Sequence, residues 1–274
     1  MVRPKYTEEE RYKMNREIIE SVIKIANEEL KPRFAKVTRT HKQDGSFLTE
    51  ADLAVQTRVQ NLLMDNFPDI TFLGEEMTPE QQQAALESVH GVWILDPLDG
   101  TSNFAAGIPY YAVSLAYIKN GKIEWGMVYD PEREECFSGQ YGKGAYLNGE
   151  PLLKRESDLD IGKTTAVVDF KRLSAEMASQ IALQPPYSSQ RSFGGVALDW
   201  CWLSAGRFHL YLHGKQNIWD YAAGHLIFNE LGGHACTLQG EAVFDFSLAP
   251  RSAVAALEQS LFNQWCDYLK IARG

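Results

Sequence analysis

Cysteine is scarce in this chain of 274 residues: Cys136, Cys201, Cys236 and Cys266 are scattered, and no two form a CxxC pair. That spacing leaves no zinc knuckle or dithiol redox motif. Reduced thiols in a cytoplasmic protein are the expectation. Positive charge is also short, with 27 Lys and Arg against 36 Asp and Glu and a formal net charge of −9. A general grip on nucleic acid needs basic surface, so direct nucleic-acid binding is not expected. An anionic ligand would need a local reversal of this field, which a bound cation provides. No run approaches the ~20 apolar residues of a membrane span, and the opening MVRPKYTEEE lacks the apolar stretch of a signal peptide. A cytoplasmic chain without a membrane partner is therefore expected. Internal repeats, low-complexity tracts and a clear linker are missing too, so the two halves are expected to share an extensive interface.

The composition itself is that of a globular protein, 45% hydrophobic and 23% charged. A capping box at Thr7 to Glu10 opens a helix carrying Met14, Ile18, Ile19, Val22, Ile23, Ile25, Ala26 and Leu30, which Pro32 ends. After the polar loop HKQDGS, Thr49 to Asp52 is a second cap. Its helix runs towards Pro68, with Leu53, Val59, Leu62, Leu63 and Phe67 on the apolar face. An acid in a first turn is a routine cap, and Asp52 alone needs no other explanation. Val92 to Leu95 reads as a short buried strand. Tyr111 to Ile118 and Ile123 to Tyr129 read as a hairpin joined at Asn120-Gly121, and Asn148-Gly149 marks another turn.

From about residue 160, strands and helices alternate: a strand at Thr165 to Phe170, a helix at Leu173 to Ile181, and a helix at Val196 to Ala205. A strand at Phe208 to Leu212 follows, then a helix from Trp219 to the stop at Gly232-Gly233 and a last helix from Leu257 to Ile271. The expected class is α/β with an α+β first half. Residues 1–155 form that half, carrying a metal and phosphate site, and residues 156–274 form an α/β half, the two making one compact unit.

The densest chemical signal is WILDPLDGTSNF, residues 93–104. An apolar strand delivers Asp96 to its end, and Pro97 holds Asp96 extended. Asp99 and Gly100 turn the chain, and Thr101, Ser102 and Asn103 can start a helix whose free N–H groups suit a phosphate. Asp-Pro and Asp-Gly are also plain turn formers, but both sit here on the end of one strand. Leu73-Gly74-Glu75-Glu76 upstream and Ile218-Trp219-Asp220 downstream add oxygen ligands. Hard oxygens suit magnesium, whereas zinc favours His or Cys. Two carboxylates about 4 Å apart repel by roughly 4 kcal/mol at an effective dielectric of 20, so such a cluster needs protons or cations.

GEE, DPLDGTSNF and WDYAAG, in this order and spacing, resemble the inositol monophosphatase family of the lithium-sensitive, magnesium-dependent phosphatase superfamily. HKQDGSFLTEAD is similar to its upstream metal loop. The resemblance implies a layered αβαβα sugar-phosphatase-like fold and hydrolysis of a small phosphate monoester by a metal-activated water. It implies that Glu75, Asp96 and the Leu98 carbonyl hold one Mg2+, and that Asp96, Asp99 and Asp220 hold a second. Asp52 and Glu75 would help place a third, with Lys42 nearby. Thr101, paired with Asp52, would orient the water. Gly100, Thr101 and Ser102 would cradle the phosphate, and Gly194, Gly195 and Val196 would line the alcohol side. His213 stands where inositol-cleaving members carry a glutamate, which puts inositol itself in question and leaves sugar and other polyol phosphates open. His213 can equally be a surface residue, and Trp200-Cys201-Trp202 is expected in the core. The resemblance also implies inhibition by lithium and a homodimer. Alternatives within the superfamily are phosphatases for histidinol phosphate, fructose-1,6-bisphosphate or bisphosphate nucleotides. A further alternative is a regulatory partner of the transcription machinery.

Overall fold

The computed structural model describes residues 8–36, 40–41, 47–155 and 157–272. Its elements begin with α1 (Glu8–Glu29), a two-stranded pair β1 (Thr40–His41) and β2 (Phe47–Leu48), and α2 (Glu50–Asn66). They continue through β3 (Thr71–Gly74), α3 (Pro79–Leu86), β4 (Val92–Asp99), α4 (Thr101–Ala106), β5 (Ala112–Lys119), β6 (Lys122–Asp130), β7 (Glu135–Gln140), β8 (Gly144–Leu147) and β9 (Glu150–Pro151). The second half contains β10 (Thr165–Asp169), α5 (Ala175–Leu183), β11 (Ser189–Arg191), α6 (Val196–Ser204), β12 (Leu210–Gln216), α7 (Ile218–Glu230), β13 (His234–Cys236), β14 (Arg251–Ala256) and α8 (Gln259–Leu269). The Thr7 cap and Lys42 lie outside the described residues.

Strands β3 to β9 form a seven-stranded sheet in chain order, parallel at β3–β4 and antiparallel beyond. The second sheet has the order β11-β10-β12-β14-β13, with the first three strands parallel. Period-two burial sorts the layers. On the first sheet Trp93, Leu95, Val113 and Leu115 face outward onto α1 and α2, through Ile18, Val22, Val55 and Val59. Ile94, Ala112, Ala116 and Val128 face inward onto α6 and α7, and Val167, Tyr211, Ala253 and Ala255 of the second sheet meet the same helices. Ala166, Val168, Leu210 and Leu212 point the other way, against Ile181 of α5 and Trp265 of α8. The five layers are therefore αβαβα, and one apolar cluster joins both sheets through the central helices. Trp200 and Cys201 are fully buried in that cluster, and Trp202 packs against it. All four cysteines are buried free thiols. Among the described residues, no helix is long and apolar enough to cross a membrane.

Three local expectations need correction. The buried face of α2 is Ala51, Val55, Val59 and Leu63, whereas Leu53 is 46% exposed; the i, i+4 row begins two residues before Leu53. Asp96 does not end its strand, because β4 continues to Asp99. A bulge between Asp96 and Asp99 shifts the register against β5 and accommodates Pro97, which donates no ladder bond. The last helix begins at Gln259 rather than Leu257, because Leu257 packs in the central cluster after β14.

Candidate active site

The candidate acids come from α2, the end of β3, β4 and the start of α7, and Glu75, Asp96, Asp99 and Asp220 are near enough to feel one another's charge. Asp96 lies in β4, 2% exposed, and its Oδ1 accepts a hydrogen bond from the Leu98 N–H at 3.0 Å. Three residues on, past the bulge, Asp99 reaches across to the second half. Its two oxygens accept from the Val196 N–H at 3.1 Å and the Ala197 N–H at 2.8 Å, the first amides of α6. Gly195 makes that approach possible, since a Cβ there would stand 3.2 Å from Asp99 Oδ2 and 3.1 Å from the Tyr110 ring. Asp220 is the third residue of α7, and its Oδ2 accepts from the Asn217 N–H at 2.8 Å in a reciprocal cap. Glu75 follows β3, and its N–H donates to the Leu95 carbonyl at 3.1 Å.

Among the described residues, Asp52 bonds both Thr49 and Thr101. Oδ2 accepts from the Thr49 N–H at 2.8 Å and the Thr49 hydroxyl at 2.6 Å, closing the cap of α2. Oδ1 lies 3.3 Å from the Thr101 hydroxyl, which also reaches the Leu98 carbonyl at 3.0 Å. Thr101 and Ser102 open α4 behind Gly100, which adopts φ 86°. A Cβ at Gly100 would stand 2.8 Å from the Tyr110 carbonyl, so the turn requires glycine on two counts. Gly194 sits beside the Asn103 side chain, with φ 79°.

Burial and mutual repulsion dominate the electrostatics. Desolvation, then the charges of Glu75, Asp99 and Asp220, push the Asp96 carboxyl well above the usual carboxylate range. Asp220 moves the same way through burial, Glu75 and Asp99. Burial lifts Asp99 to about 7 despite its backbone hydrogen bonds, with Glu75 adding to the rise. These groups oppose one another's ionisation, which a cation would relieve. The donor chemistry therefore fits a hard divalent ion. As the side chains stand, no three His, Cys, Asp or Glu among the described residues converge on one point. Asp96, Asp99 and Asp220 are each turned onto backbone amides, but an ionised carboxylate has about four lone-pair sites, enough to serve an amide and an ion together.

Residues with little or no motif signal also brace the site. Gln82 Nε2 donates to the Gly74 and Glu75 carbonyls, both at 3.1 Å, and Gln56 Oε1 accepts from the Glu76 N–H at 3.0 Å, fixing the GEE turn. Asn103 Nδ2 ties the Tyr110 carbonyl, at 2.9 Å, to the Phe193 carbonyl, at 2.7 Å, joining the two halves beside Gly194. The only sequence signal for Asn103 was its place in DPLDGTSNF. The glutamines had none, since their partners are backbone carbonyls and amides, which carry no residue-specific signal. Asp199 is buried in α6, where its Oδ1 accepts from the Tyr110 hydroxyl at 2.8 Å. His213 is buried as well, in β12, and its Nε2 lies 2.9 Å from Asp169 Oδ2.

The model of the inositol monophosphatase family matches residues 7–271. The chain belongs to that family. Its members are phosphoric monoester hydrolases, and this chain is an enzyme of that kind. Among its relatives, inositol monophosphatase 1 of Solanum lycopersicum is 36% identical over 203 residues, 70% of this chain and 72% of the relative. A protein called Nus factor SuhB, from Pasteurella multocida, is 34% identical over 208 residues, 73% of this chain and 75% of the relative. The solved structure of a Thermotoga maritima IMPase aligns over 95% of this chain and 96% of its own, with a TM-score of 0.80 and 25% identity.

Proposed function

We propose that the chain catalyses magnesium-dependent hydrolysis of a small phosphate monoester, an inositol, sugar or other polyol phosphate, by direct attack of water. The observation that carries this reading is the Thr101 hydroxyl, 3.3 Å from the buried Asp52 carboxylate and directly after β4, whose Asp96 and Asp99 feel the charge of Glu75. Glu75, Asp96 and the Leu98 carbonyl would hold one Mg2+, and Asp96, Asp99 and Asp220 a second, with Asp52 and Glu75 helping to place a third. Bound magnesium supplies Lewis-acid polarisation of the phosphate and a lowered pKa for the attacking water.

The chain's own groups supply orientation. Thr101 Oγ1 accepts a hydrogen bond from the water and passes its own proton towards Asp52 Oδ1, which the α2 cap holds in place. The N–H groups of Gly100, Thr101 and Ser102 face the phosphate oxygens, because the first amides of a helix lack intrahelical acceptors. Gly194, Gly195 and Val196 line the alcohol side, and His213 stands behind it. A homodimer in the cytoplasm is part of the same reading.

The test is phosphate release from a panel of inositol, sugar, polyol, histidinol and nucleotide phosphates, with magnesium and then with excess chelator. Full turnover in chelator would overturn the reading. The relative called a Nus factor favours a second role, as a partner of the transcription machinery. Co-purification with RNA polymerase that persists in Asp96→Asn would separate that role from catalysis.

A further inference from the structure

His213 is the position at which the alcohol side departs from its expected carboxylate, and the structure shows how its capacity is used. The Lys215 N–H donates to Nδ1 at 3.3 Å, which leaves the ring proton on Nε2. Nε2 then donates to Asp169 Oδ2 at 2.9 Å. Neutral imidazole has one donor and one acceptor, and both are committed.

Asp169 is differently placed. It ends β10, paired in parallel register with His213 of β12. Val167 and Tyr211 face the central layer, so Asp169 and His213, two residues further along each strand, face it too. At that end of the sheet lie the start of α6, which holds Asp99, and the start of α7, which carries Asp220. The charges of Asp199, Asp99, Asp169 and Asp220 all bear on the buried Tyr211 hydroxyl, after its own desolvation. The Arg172 charge reaches both Asp169 and Asp220. The turn after Asp169 crosses directly over β12, since a Cβ on Gly214 would collide with the Arg172 carbonyl oxygen.

Asp169 also has capacity to spare. Oδ1 accepts from the Lys171 N–H at 3.0 Å and Oδ2 from His213, which occupies two of about four lone-pair sites. Its side chain is 27% exposed, against 8% for His213. Burial alone would raise its pKa, but the His213 hydrogen bond, the Lys171 N–H and the Arg172 charge oppose this and hold it below the usual range.

We propose that Asp169 is the specificity-determining acceptor for a hydroxyl on the alcohol part of the substrate, with His213 as the positioning residue that orients its carboxylate. This rests on the phosphatase reading above. The carboxylate missing from position 213 is thereby supplied from the neighbouring strand, and the preferred substrates are polyol monophosphates with a hydroxyl near the ester.

The experiment compares kcat/KM for β-glycerophosphate and an inositol monophosphate with that for p-nitrophenyl phosphate, which has no alcohol hydroxyl, using the full chain with magnesium. In Asp169→Asn, the ratio of the better polyol phosphate to p-nitrophenyl phosphate should fall by about 5- to 150-fold, the effect of losing one polar partner in a closed site. His213→Ala should lower the same ratio, and His213→Gln, which retains an N–H donor, should recover most of it. If wild type releases phosphate from none of the three compounds, the phosphatase reading fails and takes this inference with it. If wild type is active and Asp169→Asn leaves the ratio within twofold, or lowers all three rates equally, the inference alone is wrong. Equal losses in His213→Ala and His213→Gln would overturn the positioning role.

Discussion

Asp52 gives one oxygen to the cap of α2 and presents the other to Thr101, 3.3 Å away. A residue that sequence reading could explain as a helix cap is thus also a candidate catalytic group, and the two roles do not compete, because a carboxylate has an oxygen for each. The cap makes the pairing rigid. Thr49 fixes Oδ2 through both its N–H and its hydroxyl, so Oδ1 is fixed as well.

Thr101→Ala should therefore separate water orientation from metal binding. The cap of α2 does not involve Thr101, and the proposed ligands remain. We expect kcat to fall about 10²–10⁴-fold, the usual worth of positioned proton transfer, with KM changed far less. Steady-state kinetics, paired with a magnesium titration followed by thermal stability, checks this. A near-normal kcat would remove Thr101 from the mechanism.

Asp96→Asn addresses the electrostatic group. Activity should be lost, since the proposed scheme shares Asp96 between two ions. In chelator the variant should be at least as thermally stable as wild type, because one of several mutually repelling buried acids is gone. Magnesium should raise the melting temperature of wild type, by preferential binding to the folded state, and should raise that of the variant far less. Equal magnesium shifts in the two proteins would argue that Asp96 is no ligand.

Gly100→Ala tests the turn between Asp99 and Thr101. The left-handed φ of 86° and the 2.8 Å approach of the Tyr110 carbonyl both oppose a side chain. Such strain costs of the order of 1–3 kcal/mol. The melting temperature should drop by several degrees, and activity should fall further than stability, because the same turn aims Asp99 and Thr101. Unchanged melting with full activity would show that the turn tolerates a Cβ.

Legibility in the sequence followed locality. The β5–β6 hairpin is announced by Asn120-Gly121, whose φ values of 52° and 68° are those the tight turn demands. Asp96 and Asp99 are announced by turn formers on the end of an apolar run. Strand β14 was missed, because RSAVAA offers little β propensity and its burial between β12 and β13 is purely tertiary. Gln56, Asp169 and Asp199 were missed for the same reason, since each matters through a partner from another part of the chain, and Gln82 was missed because it bonds backbone carbonyls, which any sequence offers. His213 was noticed as a departure from a family pattern, but its pairing with Asp169 spans two strands that no local signal joins.

His225 carries the last prediction, which concerns stability against pH. It lies in α7, in the central layer, with its ring 5.3 Å from that of Trp200 and 6.2 Å from that of Tyr221. Burial lowers its pKa from 6.5 to about 4. A folded-state pKa below the unfolded value means that the unfolded chain takes up the proton first as pH falls. Stability is therefore unaffected above about pH 7, declines from there towards pH 4, and levels off once the folded ring also protonates. At about 1.4 kcal/mol per pH unit, the full decline is of the order of 3 kcal/mol. The clustered acids also titrate in this range, so the quantity to measure is a difference: unfolding free energy against pH for wild type minus that for His225→Leu, both in chelator. The difference should become less favourable to wild type as pH falls through 6.5. A flat difference between pH 7.5 and pH 4.5 would mean that the folded protein protonates His225 as readily as the unfolded chain, and that the central layer is less dry around this ring than its packing implies.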